Sequence, residues 1–135
     1  MFVAETKIRV RYAETDQMGY VHHGNYAMYF ELARVDAIER IGITYKGLEA
    51  SGVAMPVAHM SIDFKRPAFF DETLTIKTII RQLPTSKFIT EYEVYNDTEL
   101  ITKANIVLVF MNLTTRRPVR CPQEIMNGLL PYFSD

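Results

Sequence analysis

The sequence predicts an α+β fold: a five-stranded antiparallel sheet wrapped around one long helix. Three observations predict it. Five segments alternate apolar and polar residues with the period of two that a half-buried strand requires. One segment, Asn25 to Ile41, instead repeats with helical spacing. The strands cluster after that helix rather than alternating with further helices, which favours antiparallel pairing over βαβ units.

The first strand runs from Phe2 to Tyr12, with Phe2, Ala4, Thr6, Ile8, Val10 and Tyr12 on one face and Glu5, Lys7, Arg9 and Arg11 on the other. In the helix, Tyr26, Tyr29, Phe30, Ala33, Ala37 and Ile41 share a face. Asn25 is a suitable N-cap and Gly42 a suitable stop. A second apolar row, Met28, Leu32 and Val35, asks for cover on another side, leaving Glu31, Arg34, Asp36, Glu39 and Arg40 for water or partners. The next strand places Ala58, Met60, Ile62 and Phe64 opposite His59, Ser61, Asp63 and Lys65, and ends at Arg66-Pro67. Leu74 to Ile80 follows. Phe88 to Tyr95 and Leu100 to Met111 then form a hairpin through Asn96-Asp97-Thr98-Glu99. A last short helix lies between Pro122 and Pro131. Residues 1–135 read as one domain, without repeat or linker.

Composition narrows the function. With 15 Lys+Arg against 16 Asp+Glu, the chain lacks the basic surplus that drives binding to nucleic acid. No stretch approaches the ~18 apolar residues of a membrane span, and the start lacks the pattern of a secretory signal. The lone Cys121 makes no internal disulfide and fits a reducing compartment, so a cytoplasmic protein is expected. The long apolar strands at the edge of a sheet invite pairing with a second copy, so a homodimer or tetramer is expected too.

The chemistry concentrates in ETDQMGYVHHGNY, residues 14 to 26. Asp16 reads either as a turn residue bonded to nearby amides or as a working carboxylate. Gly19 and Gly24 read as permissive for positive φ. Neighbouring residues such as His22 and His23 usually point different ways, and Asp16 with one of them supplies only two ligands, short of a zinc site. His59 and Asp63 lie ~13 Å apart on a strand, so they make no ligand pair either. The glycine spacing matches no phosphate loop. The helix after this stretch is more informative: its N-terminus offers unpaired N–H groups and the positive end of its dipole to a developing oxyanion. Asp16 on one side of a carbonyl and the helix start near His23 on the other would activate and attack it. Tyr12 at the strand end is placed to hydrogen-bond Asp16 or a water.

These residues carry a resemblance. Tyr12-Ala13-Glu14-Thr15-Asp16-Gln17-Met18-Gly19, Val21-His22-His23-Gly24-Asn25-Tyr26 and Tyr29-Phe30-Glu31-Leu32-Ala33-Arg34 are similar to the 4-hydroxybenzoyl-CoA thioesterase family of hotdog-fold acyl-CoA thioesterases. The likeness is to its short bacterial branch associated with the Tol-Pal operon. Lys65-Arg66-Pro67-Ala68 and Asp71-Glu72-Thr73-Leu74 resemble that family's link between its second and third strands. The resemblance implies a hotdog fold and hydrolysis of an acyl-CoA thioester to a free acid and coenzyme A, with neither metal nor organic cofactor. It gives Asp16 the role of catalytic carboxylate, nucleophile or base, and His23 that of backbone oxyanion donor. It adds Tyr12 and the His23 side chain as catalytic candidates. Tyr20 departs from the small aliphatic residue common after this glycine, which bears on the acyl pocket.

Substrate-binding candidates are chosen by position. Gly24, Asn25 and Tyr26 sit at the helix start. Glu31 lies further along the helix, where an ion pair with Arg34 is the plainer reading. Lys65, Arg66 and Lys87, with Arg81, sit near strand ends and turns where a CoA phosphate could find them. Tyr26, Tyr29, Met55 and Met60 are candidates for an apolar pocket. Two other functions compete: a hydratase or dehydratase acting on an acyl thioester in the same fold, and a non-catalytic acyl-thioester binding protein.

Overall fold

A computed structural model describes residues 1–133. In chain order its elements are β1 (Phe2–Arg9), α1 (Asn25–Glu39), α2 (Tyr45–Ala50), β2 (Val53–Ala54), β3 (Val57–Phe64), β4 (Thr73–Ile80), β5 (Lys87–Asn96), β6 (Glu99–Asn112), β7 (Pro118–Val119) and α3 (Gln123–Leu129), with 3-10 turns at Tyr12–Glu14 and Leu130–Tyr132. The five long strands pair antiparallel in the order β1-β4-β5-β6-β3. The sheet has seven strands rather than five among the described residues, because the far end of β6 outruns both neighbours. There β2 pairs with Met111 and Asn112, and β7 with Phe110 and Met111. Two-residue strands carry too little alternation to be seen in a sequence.

Register aligns the apolar rows. Thr78 faces Tyr92, Ile76 faces Val94, Thr90 faces Ile106, and Tyr92 faces Ala104, all of them buried. Against this face lie Tyr26, Tyr29, Phe30, Ala33 and Ala37 of α1, with the ring of Phe30 4.8 Å from that of Tyr92. Gly42 ends the helix as expected. At φ +89° it lets Ile43 N–H reach Ile38 O and Gly42 N–H reach Glu39 O, a Schellman closure.

Three details correct the sequence reading. Asn25 is the first helical residue rather than the cap, because its side-chain Nδ2 is held by Glu14 O at 2.8 Å. Arg34 was expected to meet water or pair with Glu31, yet it is 6% exposed and donates to the hydroxyls of Tyr45 and Tyr92. The unforeseen α2 brings Tyr45 over that face of α1. Finally, the inward row assigned to β3 is only partly covered: Ala58, Met60 and Phe64 are exposed on this edge strand, although Ile62 packs against the core and the Phe64 ring meets Tyr26 of α1 at 5.3 Å.

Candidate active site

β1 ends at Arg9, three residues earlier than alternation implied, and the 3-10 turn at Tyr12–Glu14 inverts the facing of the residues after it. Tyr12 swings outward and packs edge-on against Phe70, with ring centroids 5.5 Å apart, while Glu14 turns into the protein. Asp16 comes next. Its Oδ1 accepts from Met18 N–H at 2.9 Å and Tyr20 N–H at 3.1 Å, and its own N–H donates to Tyr20 O. This is the turn the bland reading of Asp16 described, with Gly19 at φ +82° completing it. The turn uses one carboxylate oxygen; Oδ2 has no hydrogen-bond partner among the described residues.

The chain then fastens to the link after β3. Val21 N–H donates to Ala68 O at 2.8 Å, and Tyr20 bridges Phe69. At the helix start, Asn25 N–H donates to His22 O and Tyr26 N–H to His23 O, while Gly24 N–H donates to His22 Nδ1 at 3.1 Å. That leaves His23 N–H without an acceptor among the described residues. Gly24 does not have the positive φ its identity suggested. It sits at φ −64°, and a side chain there would crowd the His22 ring, 3.2 Å from where a Cβ would stand. The two histidine rings stack at 4.3 Å, so His22 braces the turn beside His23.

Between these two segments lies a cleft of about 320 Å³. Asp16, His23, Tyr26, Lys65 and Arg66 line it, joined by Tyr20, Val21 and Phe64. Size and apolar lining with a few polar groups are those of a small-molecule site. Gly24 and Asn25, which follow His23 at the helix start, are not among the lining residues. Tyr12, Glu31 and Lys87 are not among the lining residues. Tyr12 is turned away by the 3-10 turn, and Glu31 is exposed two turns along α1. Lys87 pairs with Val109, seven positions along β6 from Thr102, the partner of Phe64. That is ~23 Å of strand. Of the apolar candidates, Tyr29 is buried beneath the turn and Met55 lines a separate cavity with Tyr45.

Burial sets the ionisation of the groups behind the cleft. It pushes the Tyr26 and Tyr29 phenols up, and a hydrogen bond to the Glu14 carboxylate pushes Tyr29 further. Burial also raises the Glu14 carboxyl, but hydrogen bonds from Arg11 and Tyr29 outweigh it and leave the group below its ordinary value. Glu14 is the residue whose importance the sequence hid. Its only signal was its place two residues ahead of Asp16. Burial pushes the Cys121 thiol up to about 12, which keeps it an unreactive thiol at neutral pH.

A large antiparallel sheet packed against the helix α1 is the architecture of the hotdog proteins. The family model of the Thioesterase-like superfamily matches residues 10–129, and the chain belongs to that family. It is 36% identical to YneP of Bacillus subtilis, over 89% of this chain and 88% of that protein. It is 28% identical to the acyl-CoA thioesterase YbgC of Haemophilus influenzae, over 87% of this chain and 88% of that protein. Among solved structures, the DHNA-CoA thioesterase of Staphylococcus aureus superposes with a TM-score of 0.85 at 34% identity, covering 98% of this chain and 85% of the other.

Proposed function

We propose that this protein hydrolyses an acyl-CoA thioester to a free acid and coenzyme A. The observation that carries the reading is that Asp16 and His23 line one cleft at the N-terminus of α1. A thioester carbonyl seated there has an acid on one side and a positive helix end on the other. His23 N–H, lacking an acceptor, takes the oxyanion as the carbonyl carbon becomes tetrahedral. Asp16 then acts in one of two ways. As nucleophile, its oxygen bonds the acyl carbon, the C–S bond breaks with the electron pair leaving on sulfur, and water hydrolyses the mixed anhydride. As base, it takes a proton from a water that attacks the same carbon, and the tetrahedral intermediate collapses with the C–S bond breaking and the electron pair leaving on sulfur, which takes up a proton. The thiolate is a good leaving group, so no serine triad is needed.

Lys65 and Arg66 stand where the cleft meets solvent and are placed to meet the CoA phosphates. Among the described residues the Arg66 side chain meets a single exposed partner, Glu99 at 3.8 Å, which a phosphate displaces at little cost. Tyr20, edge-on to Phe69 at 5.3 Å, and Phe64 shape the acyl side. We further propose a homodimer joined through the open edge of β3, and a cytoplasmic location, which suits the lone, half-buried thiol of Cys121.

The test is thiol release from short, long and aromatic acyl-CoAs by wild type and Asp16→Asn. The expected loss of kcat for Asp16→Asn is ~10²- to 10⁴-fold. Equal rates remove Asp16 from its role. Hydration of an enoyl-CoA with no thiol released would instead identify a hydratase, and tight binding without turnover a binding protein.

A further inference from the structure

Glu14 is charged, yet only 6% exposed. Its carboxylate accepts from Arg11 N–H at 2.8 Å, Arg11 Nε at 3.0 Å, Arg11 Nη2 at 2.8 Å and the Tyr29 hydroxyl at 2.8 Å. Its carbonyl oxygen accepts from His22 N–H at 2.8 Å and Asn25 Nδ2 at 2.8 Å. One residue thus joins the exit of β1, the histidine pair and the first two turns of α1. The local turn does not need this, since it is already closed by Glu14 N–H on Arg11 O and Thr15 N–H on Tyr12 O. Glu14 itself is absent from the cleft lining.

We propose that Glu14 is the positioning residue of the site: it clamps the turn bearing Asp16 to the start of α1, fixing the acid relative to the His23 donor. This rests on the thioesterase reading above. Each end of the clamp grips α1, the carboxylate through a charge-assisted bond from Tyr29 and the carbonyl through a neutral one from Asn25, so Asp16 and His23 cannot drift apart without straining both. Such a constraint matters because a misplacement of about 1 Å costs ~10²-fold in rate. The carboxylate is suited to the task because it accepts all four donors at once, which a neutral amide cannot.

The experiment measures kcat and KM for Glu14→Gln, Tyr29→Phe and the double variant, with melting curves to count folded protein. Glu14→Gln is expected to lose ~10- to 100-fold in kcat with KM changed less than about 3-fold, the pattern of lost alignment rather than lost binding. The Tyr29→Phe loss is smaller, and the two losses do not multiply in the double variant, because both cut the same clamp. Unchanged kcat per folded molecule, or losses that multiply, would reduce Glu14 to a structural anchor and overturn the proposal. Hydrogen exchange of peptides covering residues 16–24 decides the clamp without any reaction. Faster exchange in Glu14→Gln supports it, and unchanged exchange overturns it even if kcat falls. If wild type releases no thiol from any acyl-CoA, the thioesterase reading fails alone, and the exchange result still stands for or against the clamp.

Discussion

Two carboxylates two positions apart live in opposite surroundings. Asp16 is partly exposed and keeps one oxygen unbonded among the described residues, whereas Glu14 is buried and its carboxylate accepts four hydrogen bonds from Arg11 and Tyr29. The turn at Asp16 was legible in the sequence because a short acid near glycines bonds readily to neighbouring amides. The burial of Glu14 was not, because strand alternation through Arg11 and Tyr12 gives no hint that a 3-10 turn reverses the facing. The Glu14 environment also predicts a pH dependence. Its folded pKa lies below the ordinary value of 4.5, so its stabilisation is fully present above that value and is lost as pH falls through the lower folded value. Glu14→Gln should therefore melt about 2 to 5 °C below wild type at pH 7, a gap that narrows as pH drops below 4.5. Parallel melting curves across that range, with a constant gap, would refute the assignment.

Elements were legible where they carried several turns or pleats. The helix shows its apolar face in the sequence, and the hairpin of β5 and β6 closes between Asn96 and Glu99 where turn residues indicated, with Asp97 at φ +56°. Missing were α2, β2 and β7, of six, two and two residues, too short for a period to emerge. The stop at Gly42 gives a prediction of its own. A Cβ there would meet nothing within 4 Å, so the cost of Gly42→Ala is backbone strain at φ +89° alone. That cost is about 1 to 2 kcal/mol, read as a melting temperature lowered by roughly 3 to 7 °C. Gly42→Asn should lose less, since asparagine tolerates the left-handed region. A melting temperature unchanged in Gly42→Ala would mean the helix ends differently.

At the scale of the molecule, the outer edge of β3 is the open question that the fold poses to solution experiments. All its residues but Ile62 are exposed, and Val57, Met60 and Phe64 together present an apolar strip beside unpaired backbone groups. A second copy across a twofold axis would cover both. Met60→Lys places like charges near that axis. Wild type is expected to sediment as a dimer, with the variant shifted to monomer at micromolar concentration. A dimer indifferent to the substitution would place the interface elsewhere.

By itself the sequence determined what nearest neighbours determine: the period of each long element, the glycine that stops α1, and the crowding of Asp16 and His23 ahead of a helix. These are properties of residues within a few positions of one another, where backbone sterics and side-chain alternation decide. Tertiary structure alone decided that Arg34 is buried under Tyr45 and Tyr92, that Lys65 and Arg66 belong to the cleft while Lys87 stands at the far end of β6, and that Glu14 grips Tyr29 and Asn25. Each of those depends on which distant segments pack together, and no local pattern encodes the path by which they meet.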